Sequence, residues 1–333
     1  MATGYTITNL DSRLKSYLET NGVEILTKAL FNSESAKYFN IQTGVTADQP
    51  IIRLDSSITL ADASTCGFEA TGEDTFTNRI LSPKFLKLNK EFCPKDLLKT
   101  WAHSEVKMSA TGQELPFEEL LIDSNVNQLA KVNEQLIWEG DITNGTGNLA
   151  LMDGIITIAR ADANTVKIDA GTDSLWTRVQ KTWLALDPAI ADKCTVFMSI
   201  ANYKQLIVDL MNANQYHIFE EYNGEYKMTM PGTNLVIRGV SGITQDVIVA
   251  TPEENLYLGV DAESDNEVVD LYFDKSDRTF KFVIEYAYAT QYAFSEFVYL
   301  NEATDEGTQT PSEPTTPGEN EEGTEEEGTE TGE

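Results

Sequence analysis

The sequence predicts an α+β fold, and three observations carry that prediction. Residues 117–139 repeat apolar side chains at helical spacing over an unusually long stretch. Phe280, Phe282, Ile284, Tyr286, Tyr288, Tyr292 and Phe294 all fall at even positions, with Thr290 the one gap, the period of a strand with one buried face. Residues 46–85 alternate β-type and turn residues but hold too little apolar material for a core of their own. They therefore read as an extended β-hairpin that needs a surface to lie on.

Taken in order, residues 1–45 read as an extended or partly helical arm. Leu10, Leu14, Tyr17 and Leu18 recur at helical spacing, as do Ile25, Leu26, Ala29 and Leu30, with Asn21-Gly22 between the two groups. Ile51, Ile52, Leu54, Ile58 and Leu60 lie in the first half of the hairpin, and Thr65 to Asp74 is turn-rich. Phe76, Ile80, Leu81, Phe85, Leu86 and Leu88 follow in loose alternation. Pro116 suits a first helical turn, and Glu118 and Glu119 complement the positive end of the helix dipole. Ile122, Val126, Leu129, Leu136 and Ile137 then form one stripe, with Asn133 as its polar member and Gly140 just past its end. A helix over 117–139 spans roughly 35 Å at about 1.5 Å per residue, the length of a spine.

A glycine-rich turn at Asn144–Asn148 is expected next, then a short apolar strand over Met152-Asp153-Gly154-Ile155-Ile156. Leu175, Val179 and Trp183 predict one face of a helix, capped by Thr172 or Asp173 and stopped by Pro188. Thr195–Met198 reads as a buried strand, and Tyr203, Leu206, Ile207, Leu210 and Met211 as the stripe of a following helix. Short strands are expected at Leu235–Ile237, Val247–Ala250 and Leu256–Leu258. Residues 301–333 hold Glu, Gly, Thr, Pro and Ser with Ala303 the one apolar side chain, the composition of a disordered acidic tail.

Composition narrows the function. The 333 residues include 24 Lys and Arg against 54 Asp and Glu, a formal charge of −30. Residues 301–333 carry 12 of the acids and no base, which leaves −18 on residues 1–300. A free chain of this charge does not grip nucleic acid by counterion release or sit on an anionic membrane. Residues 1–30 show no apolar leader core, and no apolar run is long enough to span a bilayer. Cys66, Cys93 and Cys194 are odd in number and far apart, which argues against a disulfide scaffold or zinc site and for thiols kept in a reducing compartment.

The usual catalytic sets are missing. His103 and His217 are the only histidines, and they form no metal-binding pair. Gly239-Val240-Ser241-Gly242-Ile243 lacks the register of a nucleophile elbow and reads as a turn between strands. Gly145-Thr146-Gly147-Asn148-Leu149-Ala150 matches a loose dinucleotide pattern, but it follows a helix instead of a strand. Asp261, Glu263, Asp265, Asn266, Glu267 and Asp270 could gather calcium, yet the run lacks the mid-loop Gly and final Glu of an EF-hand and reads as a solvated loop. Trp138, Trp176 and Trp183 fall at helix positions as core or interface anchors. No catalytic, cofactor-binding or metal residue is assigned, no cofactor is expected, and the chain is not expected to be an enzyme.

The order of elements resembles the major capsid proteins of tailed double-stranded-DNA bacteriophages, with the Hong Kong 97 capsid fold. The resemblance runs over roughly residues 20–300. It is carried by the hairpin at 46–85, the run from Pro116 to Asp141, Gly145-Thr146-Gly147 with Asp153-Gly154-Ile155-Ile156, the Thr195–Ser199 strand leading to Asn202–Leu206, and the return over Phe280–Leu300. It implies an N-terminal arm at 1–45 and an extended β-hairpin loop at 46–85. A peripheral domain would comprise 86–172 and 265–300 with spine helix 117–139, and an axial domain 173–264. The acidic tail at 301–333 falls outside the common fold. About 45 residues precede the hairpin, too few for a fused scaffolding domain, and no motif assigns a Lys–Asn crosslink.

The implied function is structural. Copies would self-assemble into pentamers and hexamers tiling an icosahedral shell around DNA, with the hairpin lying across a neighbouring subunit. The implied partners are the chain itself, a portal, and decoration, scaffold or tail-connector proteins, with no sequence-specific grip on the DNA and no membrane. The implied location is the virion, after synthesis in the bacterial host cytoplasm. A phage tail, decoration or other surface-array protein is the alternative, which would not need the long mid-chain helix.

Overall fold

The computed structural model describes residues 30, 33–60, 72–93, 117–213, 225–261 and 269–303. The chain divides into two units, Met1–Ala303 and Thr304–Glu333. Asn301 and Glu302, expected in the acidic tail, are the end of the last strand because they pair on both sides within a sheet. The second unit, residues 304–333 of that expected tail, lies outside the described residues. So do the apolar arm positions from Leu10 to Ala29, along with Cys66, Trp101, His103 and His217.

The chain enters through a 3-10 turn at Ala36–Tyr38 and strand β1 (Asn40–Thr43). Strands β2 (Gln49–Ser57), β3 (Glu73–Leu81) and β4 (Lys84–Phe92) follow. Helix α1 covers Phe117–Glu139. Then come helix α2 (Ile155–Ala161), β5 (Val166–Asp169), helix α3 (Leu175–Ala185), β6 (Cys194–Ser199) and helix α4 (Ile200–Asn212). The closing strands are β7 (Lys227–Thr229), β8 (Val236–Val240), β9 (Val247–Pro252), β10 (Leu256–Asp261), β11 (Val269–Asp274), β12 (Thr279–Tyr292) and β13 (Tyr299–Glu302).

β12 is the hub of a five-stranded sheet. Its 14 residues share one edge between β11 and β10, lying end to end, while β4 runs antiparallel along the other. β1 extends the sheet by pairing in parallel with β10, so the end of the expected arm is a sheet strand. The even-numbered side chains of β12 from Phe280 to Tyr292 are all buried, as the alternation predicts. Phe280, Phe282, Ile284, Tyr286 and Tyr288 join one core with Ile122, Val126, Leu129 and Leu136 of α1. The Tyr286 hydroxyl donates to Asn133 Oδ1 at 2.6 Å, so the single polar position of the helix stripe meets a phenol inside the packed layer.

The second sheet has the order β5-β13-β9-β6-β8-β7 and mixes parallel and antiparallel pairs. β6 and β9 are buried at every position because both faces are covered. Val196, Met198, Ile248 and Ala250 pack with Leu175 and Val179 of α3 and Leu206 and Leu210 of α4. Phe197, Val249 and Leu300 point the other way, into the core shared with α1 and α2. The C-terminal end of α1 is capped unusually. Glu139 faces the negative end of the helix dipole, but its carboxylate accepts the Thr244 N–H at 2.5 Å, the Thr244 hydroxyl at 2.7 Å and the Gln245 N–H at 2.7 Å.

Four expectations are corrected. The apolar run at Gly154-Ile155-Ile156 is the start of α2, not a strand. A short apolar run fits either state, and here Ile155, Ile156 and Ala159 make one buried helical face. Thr157 Oγ1 ties that helix to the Gly140 carbonyl at 2.6 Å. The cap of α3 is Ser174, whose Oγ accepts the Thr177 N–H, while Asp173 pairs instead with Lys181. Trp183 does not share the core face of α3. Leu175, Arg178, Val179 and Thr182 fill it, and Trp183 is left at its margin, 37% exposed. Met211, expected in the stripe of α4, is exposed, while Tyr203, Leu206 and Leu210 are buried.

Candidate functional site

Among the described residues β2 and β3 pair only with each other, antiparallel from Gln49↔Leu81 to Ser57↔Glu73. Directly opposed residues share a face, so the hairpin has two distinct sides. One side holds Ile51, Arg53, Arg79 and Leu81. Ile51 and Leu81 are buried with Val45, Ala289 and Ala293. A Cβ added at Gly259 would lie 2.8 Å from Leu81 Cδ2, which shows how closely the hairpin base approaches β10.

Two arginines clamp this side. Arg53 lies over the Phe294 ring at 4.8 Å and donates to Glu296 Oε2 at 2.8 Å. Arg79 lies over the Tyr292 ring at 4.3 Å and donates to Asp162 Oδ2 at 2.7 Å. Tyr292 also donates to the same Asp162 oxygen, at 3.1 Å. Burial acts to raise the Asp162 carboxyl, but the Asn164 N–H, Arg79 and Tyr292 together hold it below its ordinary 3.8.

The other side of the hairpin is apolar and open. Pro50 opposes Ile80, Leu54 opposes Phe76, and Ile52 stands between them opposite Asn78. Ile52, Leu54, Phe76 and Ile80 are between 53% and 73% exposed, and Ile58 and Leu60 continue the exposed run beyond β2. The two arginines therefore turn inward to aromatic rings and acids beside Ile51 and Leu81, while Ile52, Leu54, Phe76 and Ile80 turn out. A contiguous exposed apolar face rimmed by polar residues is a mark of an interaction surface. The hairpin's place is readable from the sequence but its orientation is not, because both sides alternate Ile, Leu or Phe with polar residues.

The chemical candidates fare differently. Ser241 and Gly242 lie in the turn between β8 and β9, as read from the sequence. Gly145–Ala150 forms a loop and a 3-10 turn at Gly147–Leu151, with Asp141 accepting the Thr143 and Asn144 N–H groups. Of the acidic run, Asp261 and Asp270 sit on β10 and β11, and the intervening residues lie outside the described ones. Trp138 is fully buried against Phe39 and Phe197. Among the described residues no group of His, Cys, Asp and Glu is placed to hold a metal, and no helix is long and apolar enough to cross a membrane.

Compared with solved structures, this arrangement matches chains from phage and GTA particles over 81–89% of its length. A chain of the satellite phage P4 procapsid has a TM-score of 0.58 at 12% identity, covering 89% of this chain and 98% of that one. A chain from Gordonia phage Cozz gives 0.55 at 10% identity, covering 81% and 86%. A capsid chain of an empty GTA particle gives 0.54 at 9% identity, covering 83% and 90%. No protein-family model and no curated protein matches the sequence. At these identities the likeness shows the fold: the chain has the α+β fold of Hong Kong 97-like capsid proteins.

Proposed function

We propose that the chain is the major capsid protein of a tailed double-stranded-DNA bacteriophage. On this reading it is a structural subunit, not an enzyme. Its copies assemble into pentamers and hexamers that tile an icosahedral shell around the genome. The observation that carries the reading is the outward apolar face of the β2–β3 hairpin, joined to a capsid fold. Ile52, Leu54, Phe76 and Ile80 are 53–73% exposed, so covering each gains roughly half to three-quarters of the about 1.5–3 kcal/mol of a full burial, and a second copy is the surface that covers them.

The organisation follows the same reading. Residues 1–45 are the arm and 46–85 the hairpin loop. Residues 86–172 and 265–300 form the peripheral domain around α1, and 173–264 the axial domain that meets its copies at the capsomer centre. The acidic tail is an appendage only from residue 304 onward, because Asn301 and Glu302 belong to β13 of the second sheet. A portal, and decoration, scaffold or tail-connector proteins, are the further partners, and the virion is the destination after synthesis in the host cytoplasm. The −18 carried by residues 1–300 suits a wall that encloses DNA without gripping it.

The test is assembly of the purified chain, followed by sedimentation and electron microscopy across protein and salt concentrations, with any co-expressed scaffold. Closed particles are expected, favoured by salt that screens subunit repulsion. Leu54→Asp with Phe76→Asp should abolish particles while leaving the monomer folded. Monomers alone under every condition would sink the proposal.

A further inference from the structure

Glu134 lies on α1 at 2% exposure. Its Oε2 accepts the Ser35 backbone N–H at 2.9 Å, and its Oε1 lies 2.5 Å from Ser35 Oγ. The Trp138 indole N–H donates to the same Oγ at 2.7 Å. The Gly242 N–H also reaches the carboxyl. Only glycine permits that approach, since a Cβ at 242 would lie 2.3 Å from the Glu134 carbonyl oxygen and 2.6 Å from Trp138 Cδ1. One carboxyl thus joins three parts of the chain: the segment 33–39, the spine of α1, and the turn after β8.

We propose that Glu134 is a proton-controlled latch that fastens residues 33–39 to α1, closed when its carboxyl carries a proton and loosened when it is ionised. The chemistry of the pocket supports this. With a proton present, the acid O–H donates to Ser35 Oγ across the same short contact, and no net charge is buried. Without it, a buried carboxylate keeps the Ser35 and Gly242 bonds but has no countercharge, since none of the salt bridges among the described residues reaches it.

The ionisable groups on the surrounding elements offer no compensation. Glu34 on the same segment adds a like charge. Lys37 is taken by Glu225, and Arg238 stacks over Tyr38. On β12, Tyr286 is bonded to Asn133, and Tyr288 is a fully buried phenol held up first by burial and then by its neighbours Tyr286 and Glu134. In the turn, Asp246 is paired with Arg178. On α1, Lys131 is exposed and Glu139 is held by Thr244 and Gln245. Burial raises the Glu134 carboxyl above its ordinary 4.5, against the pull of the Ser35 bonds. A carboxyl raised by docking binds its proton more tightly docked than free, so docking weakens as pH rises through that window.

Amide hydrogen exchange over residues 33–39 tests the latch in the full chain, with wild type and Glu134→Gln compared at matched pH so that intrinsic rates cancel. The glutamine amide reproduces the protonated acid, accepting from the Ser35 N–H and donating to Oγ. Glu134→Gln should keep the segment protected at every pH. Wild type should match it at acid pH and lose protection by about tenfold per pH unit between the ordinary and the raised value. Equal protection in the two proteins throughout would overturn the proposal. If the variant fails to fold, the wild-type profile decides alone, and unchanged protection of 33–39 across the titration overturns it equally.

Discussion

The hydroxyl of Tyr286, midway along β12, donates to the side-chain oxygen of Asn133 on α1, 153 residues earlier. Both groups are buried, and the bond crosses the layer that holds the long helix on the sheet. Tyr286→Phe removes this donor from a buried amide, at a cost of about 1–3 kcal/mol. Denaturant unfolding should show a lower midpoint with an unchanged slope.

Arg178 is 4% exposed at its side chain and donates to both oxygens of Asn301, at 3.0 and 3.1 Å, and to Asp246 at 2.6 Å. Arg178→Ala strips the guanidinium donors from the two oxygens of the fully buried Asn301, whose amide N–H still reaches the residue-178 carbonyl and Thr182 Oγ1, whereas the 68%-exposed Asp246 carboxylate is hydrated in its place. The expected loss is therefore about 1–3 kcal/mol, below that for stranding a buried charge. Arg178→Lys should rescue little, because one ammonium cannot reproduce the fork. Thermal unfolding of both variants checks the order.

The hairpin clamp should weaken in acid. The Asp162 carboxyl is held below 3.8 in the fold, so its contribution is present above that value and is lost as pH falls through the folded one. Amides around Arg79 should then exchange faster at acid pH. Arg79→Ala should reduce that pH dependence without abolishing it, because the Asn164 N–H and Tyr292 still hold the carboxyl down. The direction is opposite to that expected at residues 33–39, so segment-resolved exchange separates the two.

The thiols should differ in reactivity. Burial pushes the Cys194 thiol up to about 12, while Cys93 is exposed. A maleimide at neutral pH should label Cys93 in the native protein, and Cys194 only after unfolding. Peptide mass spectrometry reads the outcome.

Long periodic elements are legible in the sequence. The α1 stripe and the even-numbered face of β12 each repeat often enough to define type and buried side. Asn133 stands out as the polar member, but its partner depends on a pairing between elements far apart in sequence. Short elements are less legible. Val166–Asp169 and Tyr299–Glu302 have four residues each, too few to show a period, and the run at Gly154–Ile156 fits strand and helix equally. The β2–β3 hairpin falls where its composition predicts, but which side turns inward is not readable. Arg53 and Arg79 point inward because Phe294, Tyr292, Glu296 and Asp162 receive them, and nothing local to residues 46–85 announces those partners.

β12 and β13 also impose an order of events on synthesis. The five-stranded sheet lacks its hub until residues 279–292 exist, and β5 and β9 lack the strand between them until residues 299–302 follow. β1 likewise waits for β10 across most of the chain. A growing chain on the ribosome can complete neither sheet until residues 279–302 exist, and β1, β4 and β5 must wait unpaired for partners made long after them. Such long-range closure folds slowly and exposes sticky intermediates. The yield of folded subunits should therefore depend on chaperone supply more than native stability alone would suggest.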